Sequence, residues 1–280
     1  TKATMYILIQ GGLIVDIQPH GALARQYRQG SKNVTLIDAS GRYAIPGLWD
    51  MHVHMNYLME LPADWMAPLL IAHGVTSVRD MGGDLENMLA LRNKFNEPGV
   101  VAPRLWIAGL GDGSPQVFKR EGADEFMKQF PTMPKKPIDT PEAAVAFVDR
   151  MVLNGVHFIK TYEMLRPEVF AALVERAHYH GLRVDGHIPQ RMTTREAIAA
   201  GIDGIVHLKG TDYGCARDPE GLRDERVAIM DAADESEHGA YLWIRVIGIS
   251  GPKAMAQQDP ERCDELVDLF ARKGIWHTPG

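Results

Sequence analysis

Pro46-Gly-Leu-Trp-Asp-Met-His-Val-His54 reads as a buried strand that ends in two histidines two positions apart. Alternate residues of a strand share a face, so His52 and His54 can converge on one metal ion. Two histidines packed on an ordinary sheet face are the competing reading, and the residues downstream decide between the two.

Downstream of residue 45 the signals alternate between helix and strand. Trp65 to Ala72 is apolar at helical spacing, Val75 to Val78 is a strand, Leu85 to Lys94 a helix, and Arg104 to Gly109 a strand. Thr140-Pro141-Glu142 opens a helix that stops at Asn154-Gly155, with the strand Val156 to Tyr162 directly behind it. Pro167-Glu168 opens another, ending before Gly181 and the strand Leu182 to His187. Thr194 begins a short helix that stops at Gly201, ahead of the strand at Ile205 to Leu208. Asp259-Pro260-Glu261 begins the last, which stops at Gly274 before Ile275 to Thr278. Repeated strand–helix units favour a parallel sheet, open or closed. We expect an α/β fold of the (β/α) TIM-barrel type over 45–280, with seven of eight strands in the chain.

The first residues differ. Met5 to Asp16 looks like two short strands around Gly11-Gly12, and Val34 to Asp38 like a third, followed by a Ser40-Gly41 turn. Residues 1–44 are therefore expected to form a small β module of their own.

Composition narrows the function classes. The chain has 280 residues, 45% hydrophobic and 24% charged, so it can bury a substantial core, and neither disorder nor a fibrous architecture is indicated. A net charge of -6 gives no general attraction to nucleic acid or anionic membranes. No apolar run approaches the ~20 residues of a membrane span. Two cysteines, Cys215 and Cys263, are too few for a disulfide framework and lack Cys-x-x-Cys spacing, so free thiols are expected.

Lys160, His187 and His207 each fall at or near the C-terminal end of a different strand, as do His52 and His54. In such barrels that end is the mouth where active sites are built. Singly, each has a bland reading as a salt-bridged lysine or a satisfied core histidine. Five residues at one rim favour a metal site.

Five pieces resemble one known family: 46–54, Gly-Val-Thr-Ser-Val-Arg-Asp-Met-Gly-Gly (74–83), Phe-Ile-Lys-Thr-Tyr (158–162), Gly-His-Ile-Pro (186–189) and Ile-Val-His-Leu (205–208). In order and spacing they resemble the amidohydrolase superfamily, in its imidazolonepropionase-like and Xaa-Pro dipeptidase-like branch. The resemblance implies a metal-dependent hydrolase with one or two zinc ions. His52 and His54 would bind the more buried ion, a carboxylated Lys160 would bridge, and His187 and His207 would bind the second. It implies that 1–44 is part of a β-sandwich. It leaves the compartment open, cytoplasmic or exported after removal of a leader.

The chain departs from the family in two places. The resemblance implies a catalytic aspartate at the end of an eighth strand, but the last strand counted is at Ile275 and the chain ends at Gly280. The expectation is a longer protein, with a missing C-terminal segment or a second chain supplying that acid. Asp212 in Gly-Thr-Asp-Tyr-Gly lies too close behind His207 to take its place. The histidine matching His187 is followed in dipeptidase relatives by Ala-Tyr, whereas Ile188-Pro189 stands here. Tyr162, two residues from Lys160 and so on its face, is a candidate to polarise the substrate carbonyl, and a tyrosine packed under a loop is the alternative.

Loops after strands set specificity. Two look long, 110–140 and 209–258. The second carries Tyr213, Trp243 and Arg245 as candidates to cap a pocket and an acidic stretch, Asp231 to Glu237, read as a solvated helix face. The Arg79-Asp80 pair is read as a structural ion pair, and His73, His157, His178, His180, His238 and His277 are left outside the site. The leading function is hydrolysis of amide or related C–N bonds in a small-molecule substrate. Ester, lactone or phosphotriester hydrolysis on the same site, and a non-catalytic scaffold, are the alternatives. A homo-oligomer is left open.

Overall fold

The computed structural model describes residues 5–19, 33–55, 62–113, 136–233 and 239–279, with the side chains of 239–241 left aside. Most of the 110–140 segment, part of the acidic stretch after Asp231, and His238 lie outside the described residues. Two compact units divide the chain, 1–46 and 47–280.

In the first unit β1 (Met5–Gln10) and β2 (Leu13–Pro19) pair antiparallel. Gly11 and Gly12 turn the chain with φ of 59° and 79°, a two-residue hairpin turn in which both residues need the left-handed region. The strand expected at Val34 to Asp38 does not form among the described residues. Leu36 and Ile37 are exposed and no described strand pairs with the segment, so its apolar side chains have no face to bury. The turn after it does form, with Arg42 N–H donating to Ala39 O at 3.0 Å.

The second unit contains, among the described residues, one parallel sheet of seven strands in spatial order β3-β4-β5-β6-β7-β8-β9. These are β3 (Leu48–Val53), β4 (Val75–Asp80), β5 (Arg104–Gly111), β6 (Phe158–Thr161), β7 (Val184–Gly186), β8 (Gly204–Val206) and β9 (Trp276–Thr278). The helices between them are α1 (Ala63–Ala72), α2 (Leu85–Phe95), α3 (Pro141–Leu153), α4 (Pro167–Tyr179) and α5 (Thr194–Ala199). Between β8 and β9 lie α6 (Thr211–Gly214), α7 (Pro219–Asp231), α8 (Gly239–Ala256) and α9 (Pro260–Lys273). The segment 209–258, expected as a loop, is therefore largely helical.

Local chemistry explains where the helices start. The side chains of Thr140, Asp218 and Asp259 each accept a backbone N–H of the first turn, and each is followed by a proline whose missing N–H costs nothing there. Thr193 and Glu196 form a reciprocal capping box at the start of α5.

Strand parity separates two buried layers. Ile107, Ile159, Val184 and Ile205 join Phe147, Val148 and Met151 of α3 and Phe170 and Leu173 of α4 in the main core. Their sequence neighbours Ala108, Phe158 and Val206 form a second cluster with Met81. Adjacent strand residues face opposite sides, so the first layer lies under the helices and the second inside the curled sheet. The result is a parallel sheet nearly closed into a TIM-type barrel, with helices outside.

Two expectations are corrected in this unit. Cys215 and Cys263 are paired in a disulfide with Cα atoms 4.5 Å apart, not free. Residues 48 apart in sequence meet because backbone bonds knit the two segments: Asp259 N–H donates to Cys215 O at 3.0 Å and Arg217 N–H to Gln257 O at 3.0 Å. Arg79 does form a structural ion pair, but with Asp185 across the barrel at 2.7 Å. Its chain neighbour Asp80 instead accepts the backbone N–H groups of Met55 (2.9 Å) and Gly82 (3.1 Å).

Candidate functional site

The C-terminal ends of the strands carry all five predicted ligands. His52 lies in β3 and His54 just beyond it, Lys160 lies in β6, and His187 and His207 directly follow β7 and β8. The rings gather. The Nε2 atoms of His52 and His54 are 3.3 Å apart, the His52 and His207 ring centroids 4.4 Å, and those of His187 and His207 5.4 Å. At His207 and Leu208 the backbone is left-handed, with φ of 57° and 53°. That conformation is costly for side chains of this size and turns the chain sharply at the rim.

Two histidines are oriented by fixed acceptors. The Nδ1–H of His54 donates to Gly82 O at 2.9 Å, and the Nδ1–H of His187 to the Glu163 carboxylate at 2.7 Å. Neither oxygen can donate, so in the neutral ring each Nε2 carries a lone pair, as a metal ligand requires. Nδ1 of His52 is buried without a partner among the described residues.

Electrostatics act in the same direction. Burial, followed by the positive charge on Lys160, lowers His52 to a pKa of about 3. Burial lowers His187 to about 3 as well, against the pull of Glu163. His54 and His207 are also lowered, chiefly by burial. All four rings are therefore neutral at pH 7. Lys160 is 2% exposed, and burial together with Arg79 brings its amine down to about 7.

No three His, Cys, Asp or Glu side chains among the described residues are gathered closely enough to hold a metal ion directly. The donor types and ring orientations nevertheless suit one. The Nε2 atoms of His52 and His54 lie 3.3 Å apart, about the spacing of two imidazole nitrogens on one tetrahedral ion.

Tyr162 also reaches this rim, its ring stacked on His187 at 4.4 Å and 29°. Beside His207 opens a cavity of about 440 Å³ lined by Ile188, Met192, Lys209, Asp212 and Tyr213. Asp212 thus faces the cavity from α6, its carboxyl raised chiefly by burial. Of the three capping candidates, Tyr213 lines the cavity, Trp243 donates to Glu163, and Arg245 donates to Ile229 O at 3.3 Å. Arg245 is thereby drawn toward α7.

Glu163 is the residue that sequence reading missed. It is fully buried and accepts from His187, Gln190, Lys209 and Trp243. Its burial would raise the carboxyl, but the hydrogen bond from His187 and the Lys209 ammonium bring it down to about 2. The available signal was an acid directly after the β6 strand end, one residue beyond Tyr162.

No family model matches the chain. Among curated proteins it is 23% identical over 265 residues to an adenine deaminase of Halalkalibacterium halodurans, a match that covers 85% of this chain and 40% of the relative. It is 31% identical over 81 residues to an imidazolonepropionase of Geobacillus kaustophilus, covering 28% of this chain and 18% of the relative. The chain thus spans well under half the length of these curated relatives. Among solved structures it superposes on a prolidase complexed with N-methylphosphonate-L-proline with a TM-score of 0.56 at 19% identity, covering 98% of this chain and 72% of that one. It superposes on molinate hydrolase with a TM-score of 0.54 at 18% identity, covering 88% of this chain and 66% of that one. The chain is thus similar in fold to solved amidohydrolase-family proteins and in sequence to curated members of the amidohydrolase superfamily.

Proposed function

We propose that this chain carries most of the metal site of a hydrolase that cleaves amide or related C–N bonds in small molecules. The reading rests on one observation above all: His52, His187 and His207 converge from three separate strands with their rings neutral, and the acceptors Glu163 and Gly82 leave Nε2 of His187 and His54 with the lone pair that a ligand needs. His52, His54, His187 and His207 would hold one or two divalent ions, with zinc the favoured metal for imidazole donors. A bound ion would supply Lewis acidity toward both the substrate carbonyl and water.

The protein groups have separate tasks. An ammonium cannot coordinate a cation, so Lys160 would join the site only after losing its proton, with a carbamate as the form that supplies anionic oxygen ligands. A pKa near 7 leaves a large fraction of its amine uncharged at neutral pH. That amine can attack carbon dioxide, forming an N–C bond and releasing a proton to leave a carbamate. Tyr162, whose ring stacks on His187, would be the residue that donates its phenolic hydrogen to the substrate carbonyl. The cavity of about 440 Å³ beside His207 has the size of a small-molecule pocket. The adenine deaminase and prolidase relatives both act on C–N bonds, which supports that bond class over esters.

The test is metal analysis of the full-length protein combined with turnover on amides, dipeptides and lactams, with matched esters alongside. Bound divalent metal and faster turnover of amides support the reading. Metal-free protein that turns over none of them sinks it.

A further inference from the structure

We infer that Glu163 is a positioning residue that locks the His187 tautomer and ties this histidine to the helical wall of the cavity. The metal-affinity part of this inference rests on the metal reading above; the tautomer part does not.

The carboxylate is saturated. An ionised carboxylate has about four lone-pair sites. Oε1 of Glu163 takes the Nδ1–H of His187 at 2.7 Å and the Lys209 ammonium; Oε2 takes Nε2–H of Gln190 at 2.6 Å and the indole N–H of Trp243. These four donors come from the end of β7, the loop behind it, the end of β8, and α8. The Lys209 ammonium also lies 4.7 Å from the centre of the Trp243 ring, so the three side chains form one closed group. Gln190 donates its backbone N–H to Glu163 O at 2.8 Å, which fixes the backbone from which the carboxylate projects.

A buried carboxylate is costly, and an apolar cluster of similar volume would hold four segments together at least as well. What an apolar cluster cannot do is accept a proton-bearing nitrogen. The Glu163 acceptor forces the proton of neutral His187 onto Nδ1 and leaves Nε2 as the lone-pair atom. Because Lys209 shares Oε1 with His187 while Trp243 holds the other oxygen of the same carboxylate, α8 is linked to the His187 ring through Glu163.

Selective 15N labelling of histidine in full-length, metal-free protein tests this directly. The wild type is expected to show His187 with a protonated Nδ1 and an unprotonated Nε2. Glu163→Gln is expected to mix or invert the tautomers and to weaken zinc binding by roughly 10–100-fold, the usual effect of removing a partner behind a ligand. Trp243→Phe, which removes one donor of four, is expected to leave the tautomer in place. A wild-type His187 protonated on Nε2 would overturn the inference, as would a Glu163→Gln protein with unchanged tautomer and unchanged zinc affinity. The wild-type spectrum needs no variant, so a misfolded Glu163→Gln protein leaves the test standing. A wild type that shows the tautomer lock but binds no zinc supports the hold of Glu163 on His187 and counts against the metal reading alone.

Discussion

The rings of His52 and His207 lie 4.4 Å apart although their strands, β3 and β8, are five positions apart in the sheet order. In a flat sheet, five strand spacings would separate them by about 24 Å. The sheet must curl through most of a turn to bring them together. The same curl creates the inner cluster of Met81, Ala108, Phe158 and Val206 and brings Arg79 of β4 to Asp185 of β7. Site and barrel are thus one geometric fact.

The Arg79–Asp185 pair sits largely out of water, with side-chain exposures of 14% and 5%. Removing one partner leaves the other charge buried, and Arg183 at 3.3 Å is a poorer substitute. Arg79→Ala is expected to cost about 3 kcal/mol. Lys94→Ala, which breaks the exposed pair with Asp64, is expected to cost less than about 1 kcal/mol. Denaturant unfolding of both variants checks the contrast, and equal losses would contradict it.

Phe170 on α4 is fully buried in the main core against strands of the barrel. Phe170→Ala removes a ring that the neighbouring Leu173 and Val174 cannot replace, and the expected loss is about 3–5 kcal/mol. Urea midpoints of variant and wild type measure it.

Asp80 titrates at an unusual pH. Burial raises its carboxyl to about 7, although the N–H groups of Met55 and Gly82 favour its charged form. Its pKa in the folded state is above that in the unfolded chain, so between about 4 and 7 the native state holds more protons, and this group's contribution to stability falls as pH rises. Asp80→Asn removes that dependence. The stability of the variant relative to wild type should therefore increase from pH 4 to pH 7, and a constant difference across that window would be the wrong outcome.

The Cys215–Cys263 disulfide encloses α7 and α8, and with them Arg226 and Trp243. Protein unfolded without reductant should show no free thiol, and a digest should yield the two cysteine peptides linked. Reduction is expected to cost about 2–4 kcal/mol. Two titratable thiols in the freshly isolated protein would contradict the pairing.

Much of the barrel is legible in the sequence because its helices begin with recognisable caps, such as Thr140-Pro141-Glu142 and Asp259-Pro260-Glu261. Asp218-Pro219-Glu220 carries the same punctuation and opens α7, so the helical character of 209–258 was partly readable too. Helix α8 is harder to read, since Gly248, Gly251 and Pro252 lie within it and argue locally against a helix. The His-x-His strand and the strand-end residues Lys160, His187 and His207 are legible because barrel strands deliver their ends to one rim. Glu163 is not, since its four partners are up to 80 residues away and only the fold brings them together. Sequence alone also cannot tell two free thiols from one disulfide when 48 residues separate them.

The proposed function stands or falls with His52 and His54 holding a metal ion together with His187, His207 and Lys160. An equilibrium zinc titration of the full-length protein, wild type against the His52→Ala/His54→Ala double variant, decides it, with folding of both checked by circular dichroism. Stoichiometric, tight binding in the wild type and its loss in a folded double variant is the predicted result. Tight binding that survives the double substitution, or none in either protein, would contradict it.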